Sequence, residues 1–475
     1  MAKQVALELQ DLWAKYPKGG WVLKGLNLKV CEGDVVLIVG TTGSGKTTLA
    51  RVLNGTAQPV YGVEVRGVYR IRGENALLKN PFELSKRVHV VSQNPYLHFI
   101  NFILEDDLKD YIRKIHGDGV AERFLEKILT TFHLNELRNR YFYQLSGGQA
   151  RRAATAKAFI PDPQVLVFDE PFMWLDDKGV NEFLDMLNLL RRLGKTIVVF
   201  EHRFQRVARF FDKFYVLKQG VLEEADFQAL YQSVKDKATS LNPSIPTPPT
   251  PGEVLVDLED LAFGYEGELL RNIRLTIRRG EGVLITGSNG AGKSTLLKII
   301  SGYLKPWSGR VRVKGRIIYV PQQVALFYTE ETLRDEVLRL CQASGGGERC
   351  MGRAVSALEE AGLDPGRPPS QLSYGQMVKA AVILAAWAGS ADILLLDEPF
   401  SGLTYVDRAR LISLLSSLPA AKILTTSTME LTSLMRNWRI LMLENGELKT
   451  PEKAEKEVDA LVSIELARRL LGDAA

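Results

Sequence analysis

The chain has few of the features that mark a special class of protein. Its 475 residues include only three cysteines, Cys31, Cys341 and Cys350, and no two of them have CxxC spacing. The spacing favours neither a disulfide framework nor a zinc site, so we expect three free thiols in a reducing compartment. The charge is nearly balanced, because 61 basic residues less 56 acidic ones gives +5. That bias is too weak to indicate nucleic-acid binding.

Long apolar segments and histidines are also scarce. The longest apolar run, residues 380–389, is far shorter than the ~20 residues that cross a bilayer as a helix. Residues 1–4 do not begin an apolar signal-peptide core. Any action at a membrane is therefore expected to require separate membrane-spanning partners. There are five histidines, and none of them follows residue 202.

What the chain does contain is an internal repeat. A glycine-rich motif, a Leu-Ser-x-Gly-Gln motif and an apolar run ending in Asp-Glu each occur twice, in the same order. Their offsets, 293 − 46 = 247, 373 − 146 = 227 and 397 − 169 = 228, indicate two homologous domains, the second about twenty residues shorter. Residues 242–251 hold five of the twenty prolines, which favours a polyproline II spacer. We predict domains at 1–235 and 253–475, joined by a linker at 236–252.

Each glycine-rich motif follows an apolar, strand-like run and precedes a helix-like segment. In this context glycines let consecutive N–H groups face one anion, and the helix N-terminus adds positive potential. We expect Lys46 and Lys293 to reach the β- and γ-phosphates of a nucleotide, and Thr47 and Ser294 to offer hydroxyl ligands to Mg²⁺. The predicted phosphate-binding residues are Gly40, Thr41, Thr42, Gly43, Ser44, Gly45, Lys46, Thr47 and Thr48 in the first copy, and Gly287, Ser288, Asn289, Gly290, Ala291, Gly292, Lys293, Ser294 and Thr295 in the second.

An acidic pair ends an apolar run in each copy. The pairs are Asp169 with Glu170 and Asp397 with Glu398. Because α/β sheets bind ligands at the carboxyl ends of their parallel strands, we expect both aspartates to hold Mg²⁺. Each glutamate is then placed to polarise an attacking water as a general base. Short apolar runs alternate with amphipathic segments, which predicts an α/β fold with a largely parallel sheet.

Together these motifs resemble the nucleotide-binding domain of ABC ATPases, over about residues 4–230 and 253–450. The most specific element is the signature, which reads Ser146, Gly147, Gly148 and Gln149 in the first copy and Ser373, Tyr374, Gly375 and Gln376 in the second. The resemblance implies two tandem P-loop NTPase domains of ABC type. Each is expected to have a mainly parallel sheet core, an antiparallel β part and a helical subdomain that carries the signature.

The resemblance also assigns roles to further residues. Tyr16 and Tyr265 look like the aromatics that stack on adenine, and Gln93 and Gln322 look like the Q-loop glutamines that contact Mg²⁺ and the attacking water. His202 looks like the switch histidine that contacts the γ-phosphate. ATP and Mg²⁺ are the implied cofactors. The two domains are implied to close on each other head-to-tail, so that each P-loop is completed by the signature of the other domain.

The second copy departs from the family pattern in three places. Tyr374 stands where the first copy has Gly147, Thr404 stands where it has Asp176, and the switch histidine has no counterpart. We call site one the site built on Lys46 and site two the site built on Lys293. We predict that both sites bind ATP and that site one turns over faster. The alternative is that Thr428 replaces the histidine and the sites are equal.

The segments between Q-loop and signature indicate a partner. Residues 96–102 and 325–328 are unusually apolar, and in ABC transporters this region receives a helix of a membrane subunit. Core packing of some of these aromatics is the other interpretation. The 201–203 switch segment, Glu-His-Arg, resembles the ATPase component of energy-coupling factor importers of vitamins or metal ions. The resemblance implies a cytoplasmic protein on the inner face of the cell membrane, with no nucleic acid bound.

Three other functions remain open at this stage. A fused sugar-importer ATPase also has a degenerate second half. A soluble twin-ABC ATPase acting on ribosomes or nucleic acid is disfavoured because residues 242–251 form a short proline-rich joint and because no cysteine-rich region precedes the first domain. A DNA-repair ATPase would need zinc cysteines or long coiled coils. Residues 452–471 have apolar residues at helical spacing and predict a C-terminal helix.

Overall fold

The computed structural model describes residues 3–17, 19–41, 43–77, 79–172, 175–201, 204, 207–229, 231, 252–372, 374–401, 403, 405–428, 435 and 437–451. They form two compact units, one on each side of residue 233. We call the described residues 3–231 domain one and 252–451 domain two, and describe each by itself. The predicted linker and C-terminal helix lie outside the described residues, apart from Gly252, and so do Thr42, His202, Ser373 and Thr404.

Domain one contains ten described strands and seven described α-helices. The strands are β1 Val5–Lys15, β2 Trp21–Cys31, β3 Val35–Val39, β4 Glu64–Ile71, β5 Glu74–Asn75, β6 Val88–Val91, β7 Val165–Asp169, β8 Thr196–Glu201, β9 Lys213–Lys218 and β10 Val221–Glu224. The helices are α1 Lys46–Leu53, α2 Ala57–Tyr61, α3 Pro81–Ser85, α4 Leu104–His116, α5 Ala121–Thr131, α6 Gly147–Phe159 and α7 Asp177–Arg192. Short 3₁₀ turns lie at Pro95–His98, Asp118–Val120, Asn135–Leu137, Phe142–Gln144 and Ala208–Phe210.

The central sheet of domain one has the strand order β10-β9-β3-β8-β7-β6. β9 and β10 pair antiparallel, and the other pairs are parallel. β3 and β8 are buried at every residue, as expected for central strands covered on both faces. A second, antiparallel sheet has the order β2-β1-β4-β5. The carboxyl ends of β3 and β7, on either side of β8, therefore lie at the same edge of the central sheet.

Domain two contains nine described strands and five described α-helices. The strands are β11 Val254–Gly264, β12 Glu268–Arg278, β13 Gly282–Thr286, β14 Ser308–Val313, β15 Ile317–Val320, β16 Ile393–Leu396, β17 Ala421–Thr426, β18 Arg439–Glu444 and β19 Glu447–Lys449. The helices are α8 Lys293–Ile300, α9 Leu333–Ser344, α10 Gly347–Glu360, α11 Tyr374–Ile383 and α12 Tyr405–Ser417. A π-helical turn, Leu384–Ala388, continues α11, and 3₁₀ turns lie at Val324–Phe327 and Pro369–Gln371.

The two domains share one topology. The central sheet of domain two has the order β15-β16-β17-β13-β18-β19, with β18 and β19 antiparallel and the other pairs parallel. An antiparallel sheet, β12-β11-β14, accompanies it. Apart from β5, this matches the strands of domain one and confirms the predicted α/β fold of two homologous domains. The extra residues of domain one form α2, β5 and α3, between α1 and β6.

The expectation of three free thiols is wrong for two of the cysteines. Cys341 and Cys350 form a disulfide, while Cys31 is a free thiol. Cys341 lies near the end of α9 and Cys350 in the first turns of α10, and both are buried in the core that these two helices share. The pairing depends on the turn between two packed helices, which a search for CxxC spacing does not detect.

Within the part of the chain that the structure describes, every helix is too short or too polar to cross a membrane.

Candidate functional site

Both glycine-rich motifs form a loop between a buried strand and a helix. Gly43 and Gly45 have φ angles of +84° and +112°, and Gly290 and Gly292 have +84° and +102°, a region that residues with a side chain rarely adopt. A Cβ on Gly45 would also lie 2.7 Å from the Leu23 side chain. The glycines therefore allow α1 and α8 to begin directly at the loop, with their N-termini facing it.

The loop lysines are folded back onto their own loops. Lys46 Nζ donates to the carbonyl oxygens of Gly40 at 2.6 Å and Thr41 at 3.0 Å, and lies 3.4 Å from a carboxylate oxygen of Glu170. Both lysines are buried.

The same arrangement occurs in domain two. Lys293 Nζ donates to Gly287 O at 2.8 Å and Ser288 O at 3.1 Å, and lies 3.3 Å from Glu398. The structure thus brings together, in each domain, the predicted phosphate lysine and the predicted general base.

The residues of domain one fit a bound phosphate and Mg²⁺. Ser44 Oγ is buried and has no hydrogen-bond partner within the described residues, so a phosphate oxygen at the loop would give it one. Thr47 is exposed beside the loop, and Asp169 ends β7, which lies two strands from β3 in the central sheet. Hydroxyl and carboxylate oxygens are the ligands that Mg²⁺ prefers. Thr47, Asp169 and Gln93 would hold it in site one, and Ser294, Asp397 and Gln322 in site two.

Asp169, Asp397 and Glu398 are buried and Glu170 is half-buried, and the backbone is strained at both glutamates. Glu170 and Glu398 both have a φ of +48°, a left-handed conformation that costs energy for a residue with a side chain and is common at functional sites. Burial, and then the charge of Glu170, raise the pKa of Asp169 to about 6. Burial likewise raises the pKa of Glu398, and Lys293 opposes that rise. A carboxylate with a raised pKa is stabilised when it binds a cation or takes up a proton. These groups are therefore suited to holding a metal ion or to accepting a proton.

The two sites hold their general bases differently. In domain one the amide of Gln93 donates to Glu170 Oε2 at 2.8 Å, so the structure joins the predicted Q-loop glutamine to the predicted base. In domain two Gln322 is exposed, and Glu398 Oε2 accepts from the backbone N–H of Ser427 at 3.1 Å.

Further hydroxyl groups surround the acidic pair of domain two, and the sequence did not predict them. Thr425 donates to Asp397 Oδ1 at 2.7 Å and accepts from the N–H of Glu398 at 3.0 Å. Tyr319 donates to Asp397 Oδ2 at 3.1 Å. The repeat itself holds a signal for them, because β17 and β15 carry hydroxyl residues where the matching positions of domain one are apolar.

The strand register also identifies the position that matches His202. Val39 pairs with Glu201 in domain one, and Thr286 pairs with Thr426 in domain two. The residue that follows β17, and so corresponds to His202, is Ser427. The alternative named Thr428 as the replacement, but the residue at the histidine position is Ser427, one residue earlier.

The predicted adenine-stacking tyrosines lie beside their loops. The hydroxyl of Tyr16 is 3.4 Å from Thr48 Oγ1 and accepts from Arg51 at 2.6 Å. The hydroxyl of Tyr265 is 3.5 Å from Thr295 Oγ1, and its ring is largely exposed. Each ring therefore stands next to the first turn of the helix that follows the phosphate loop.

The signature begins a helix in both domains. Ser146 caps α6: its hydroxyl accepts from the N–H of Gln149, and the Gln149 side chain accepts from the N–H of Ser146. The helix N-terminus, with Gly147 and Gly148 as its first residues, is open to an anion. In domain two α11 begins at Tyr374, followed by Gly375 and Gln376, and Ser373 lies outside the described residues.

The segment between Q-loop and signature exposes apolar side chains. In domain one Leu97, Ile100 and Phe102 are 76%, 85% and 67% exposed, and in domain two Leu326 is 70% exposed. We call these four residues the apolar segment. Core packing holds for some of their neighbours, since Phe327 and Tyr328 pack against the core of domain two; Tyr96 is half-buried, and its hydroxyl donates to Leu145 O at 2.8 Å. The two interpretations of these residues thus apply to different side chains.

A buried carboxylate fixes the backbone of the apolar segment in domain one. Asp107 Oδ1 accepts from the N–H groups of Ile100 at 2.8 Å and Asn101 at 3.0 Å. Asp107 Oδ2 accepts from Lys157 Nζ at 2.7 Å, and that ammonium also donates to His98 O at 2.7 Å. The exposed side chains are therefore presented by an ordered backbone.

Comparison with known proteins places these features in a family. The family described as ABC transporter matches residues 23–173 and 270–401. A protein of Streptomyces avermitilis named as an ABC transporter ATP-binding protein is 30% identical over 90% of this chain and 90% of its own length. A protein of Sulfurisphaera tokodaii with the same name is 27% identical over 88% of this chain and 92% of its own.

A solved structure shows the same fold over both domains. It is that of an archaeal ribosome recycling factor in complex with the ribosomal stalk protein, with a TM-score of 0.61 at 21% identity, and it covers 92% of this chain and 89% of that chain. At this identity the likeness concerns the fold alone.

Proposed function

The chain belongs to the ABC transporter family, and we propose that it is the ATP-hydrolysing subunit of a membrane importer whose membrane-spanning subunits are separate chains. It is an ABC ATPase with twin nucleotide-binding domains. The observation that carries the transport role is the apolar segment, which each domain exposes between its Q-loop and its signature. We further propose that two unequal ATP sites form by head-to-tail closure of the domains.

In site one, each residue has a role that its geometry supports. Lys46 leaves the carbonyls of Gly40 and Thr41 and turns to the β- and γ-phosphates, which also accept from the loop N–H groups. Thr47 and Asp169 would hold Mg²⁺, which would supply positive charge to the phosphates. Glu170 accepts a proton from the attacking water.

The partners of Glu170 orient it for that step. Its salt bridge with Lys46 gives way to the nucleotide, while Gln93 keeps one carboxylate oxygen in place through the 2.8 Å hydrogen bond. Positioning the base in advance reduces the reorganisation needed in the transition state. Site two works with the same set, Lys293, Asp397 and Glu398, but the backbone of Ser427 orients its base.

The apolar segment supports docking of a membrane subunit. A large apolar side chain that is more than two-thirds exposed leaves apolar surface in contact with water. That contact is unfavourable unless a partner covers the side chain. Ile100 stands on a backbone fixed by Asp107, so little ordering is needed there when a partner helix binds. We infer the energy-coupling factor type, for a vitamin or metal ion, from the resemblance of residues 201–203 and the fused domains.

Membrane co-purification tests the proposal. Tagged wild-type protein is extracted with mild detergent from its native host, and we expect a polytopic membrane protein to accompany it. Ile100→Asp should reduce this association at least tenfold while basal ATPase activity stays within twofold. Val60→Asp is the matched control, because Val60 is also a large exposed apolar residue, at 63% exposure, but lies in α2 and outside the apolar segment.

Two outcomes would contradict the proposal, and a third would change the type of importer. Sedimentation with ribosomes and no association with membranes would favour the soluble ribosome-acting alternative. Equal membrane association of wild type and Ile100→Asp would remove the role of the apolar segment, even if the chain hydrolyses ATP. A sugar-binding importer subunit in the complex would favour the fused sugar-importer ATPase.

A further inference from the structure

In domain one the signature helix is bonded to the Q-loop by a buried arginine. Arg151 is the fifth residue of α6, and its guanidinium donates to the carbonyl oxygens of Ser92 and Gln93, each at 2.9 Å. These are main-chain atoms of the loop whose glutamine holds Glu170. Because the donor is charged, these two hydrogen bonds are strong and hold the Q-loop to the helix.

In domain two the residue at that helix position cannot make this link. Val378 is the fifth residue of α11; it is buried and apolar. Instead the hydroxyl of Tyr374, the first residue of α11, donates to the carbonyl oxygen of Gln322 at 3.1 Å. Gln93 and Gln322 are each the second residue after the matching strand, β6 or β15. Two different side chains of the signature helix therefore bond the same Q-loop carbonyl.

The charges around the two links explain why domain two uses a tyrosine where domain one uses an arginine. Burial lowers the pKa of Arg151 to about 10, and Glu201 and Asp169 oppose that change. In domain two the position of Glu201 is taken by Thr426, so a buried arginine would lack one of its two acidic neighbours. A buried charge without its counter-charge is costly, whereas a phenol reaches the same carbonyl without charge.

The surroundings of Tyr374 are those of its own site. Burial, and then the charges of Glu398 and Asp397, raise the pKa of its hydroxyl to about 12. The hydroxyl therefore stays protonated and remains a donor at neutral pH. A second tyrosine supports the same contact, since the Tyr328 hydroxyl donates to Met377 O in α11.

We propose that Tyr374 is a positioning residue that joins the signature helix of domain two to its own Q-loop, in the role that Arg151 has in domain one. Tyr374, the residue that departs from the signature sequence, then replaces the link that Arg151 makes in domain one. Its effect is on site two. This rests on the proposed function only in taking site two as a site of ATP hydrolysis, where Gln322 is the predicted Q-loop glutamine. The conventional interpretation, in which the signature serves the opposite site alone, gives the hydroxyl no role in domain two.

Hydrogen exchange of the full chain tests the link without reference to transport. Tyr374→Phe removes one hydroxyl, and we expect the amides of residues 319–328 to exchange about 3- to 10-fold faster, as loss of one hydrogen bond allows. Arg151→Met should have the corresponding effect on residues 90–99. Tyr69→Phe is the matched control, because the buried Tyr69 hydroxyl also donates to a backbone carbonyl, Leu53 O, at 2.9 Å; it should leave both segments unchanged.

Turnover distinguishes positioning from a merely structural role. In a Glu170→Gln background, where hydrolysis reports site two, Tyr374→Phe should lower kcat about 3- to 10-fold and leave the KM for ATP unchanged. Unchanged exchange at residues 319–328 would overturn the link. Faster exchange with unchanged kcat in this background would overturn the positioning role, and so would a kcat loss confined to a Glu398→Gln background. None of these outcomes depends on whether a membrane partner exists.

Discussion

The buried ion pair behind the apolar segment gives the sharpest test of how domain one is built. Asp107 and Lys157 have side chains that are almost completely buried and 2.7 Å apart. Asp107→Asn keeps the shape but removes the charge, so the Lys157 ammonium stays buried with only His98 O as a strong acceptor. Breaking a buried pair in this way costs about 3–5 kcal/mol.

This cost can be measured as a shift in thermal unfolding. For a domain of this size, each kcal/mol corresponds to about 2–4 °C in Tm, so Asp107→Asn should lower the Tm of domain one by roughly 6–20 °C. Differential scanning calorimetry of the full chain measures it. The transition of domain two should not move, which provides an internal control.

A second variant separates the charge from the backbone contacts. Domain two has Leu384 where domain one has Lys157, and Leu384 is buried. The variant Asp107→Leu/Lys157→Leu should therefore regain most of the lost stability, because two apolar groups replace the ion pair. It should still bind the membrane partner poorly, since the N–H groups of Ile100 and Asn101 lose their acceptor.

Two results would refute this reasoning. One is an Asp107→Asn protein that unfolds within 1 °C of the wild type. The other is a double variant less stable than Asp107→Asn, which would show that shape rather than charge governs the site.

Three further predictions concern the sites and the disulfide. Glu170→Gln should lower steady-state ATPase activity more than Glu398→Gln, by on the order of 10²–10⁴-fold at the site that loses its base; the opposite order would contradict a faster site one. The pKa of Asp169 is about 6 in the folded chain against 3.8 when unperturbed, so its contribution to stability falls as pH rises from 3.8 to 6. Mg²⁺ requires the ionised form, so calorimetry should find its binding at site one about tenfold weaker at pH 5 than at pH 7, and equal affinities would refute this. Reducing Cys341–Cys350 opens a ten-residue loop and should lower the unfolding free energy of domain two by about 2–3 kcal/mol; an unchanged denaturation midpoint would show that the disulfide contributes nothing.

Features that depend on a few consecutive residues could be predicted from the sequence. The phosphate loops are of this kind, because the glycines around Lys46 set the backbone and the lysine follows at a fixed position. The parallel sheet could also be predicted, since its strands are continuous apolar runs such as Val35–Val39. The internal repeat strengthened both predictions, because each feature had to hold twice.

Features that depend on how elements pack against one another could not. The disulfide requires the α9–α10 turn, and the partners of Asp397 come from β15 and β17, which are far apart in the sequence. The backbone that presents Ile100 depends on Asp107, a carboxylate that sequence patterns do not separate from solvated acids. Side-chain partners of this kind follow from packing rather than from spacing.

The differences between the two domains follow one physical rule. Near the acidic pair of domain one lie a buried arginine, Arg151, which bonds the Q-loop, and a buried acid, Glu201. Near that of domain two lie neutral hydroxyls: Tyr374 bonds the Q-loop, and Thr425 bonds both members of the acidic pair. Because a buried cation is costly without its counter-charge, a domain with Thr426 at the position of Glu201 is better served by a neutral donor. The second signature is thus one part of a neutral set that replaces a charged set, and the domains differ in how they orient a base that both retain.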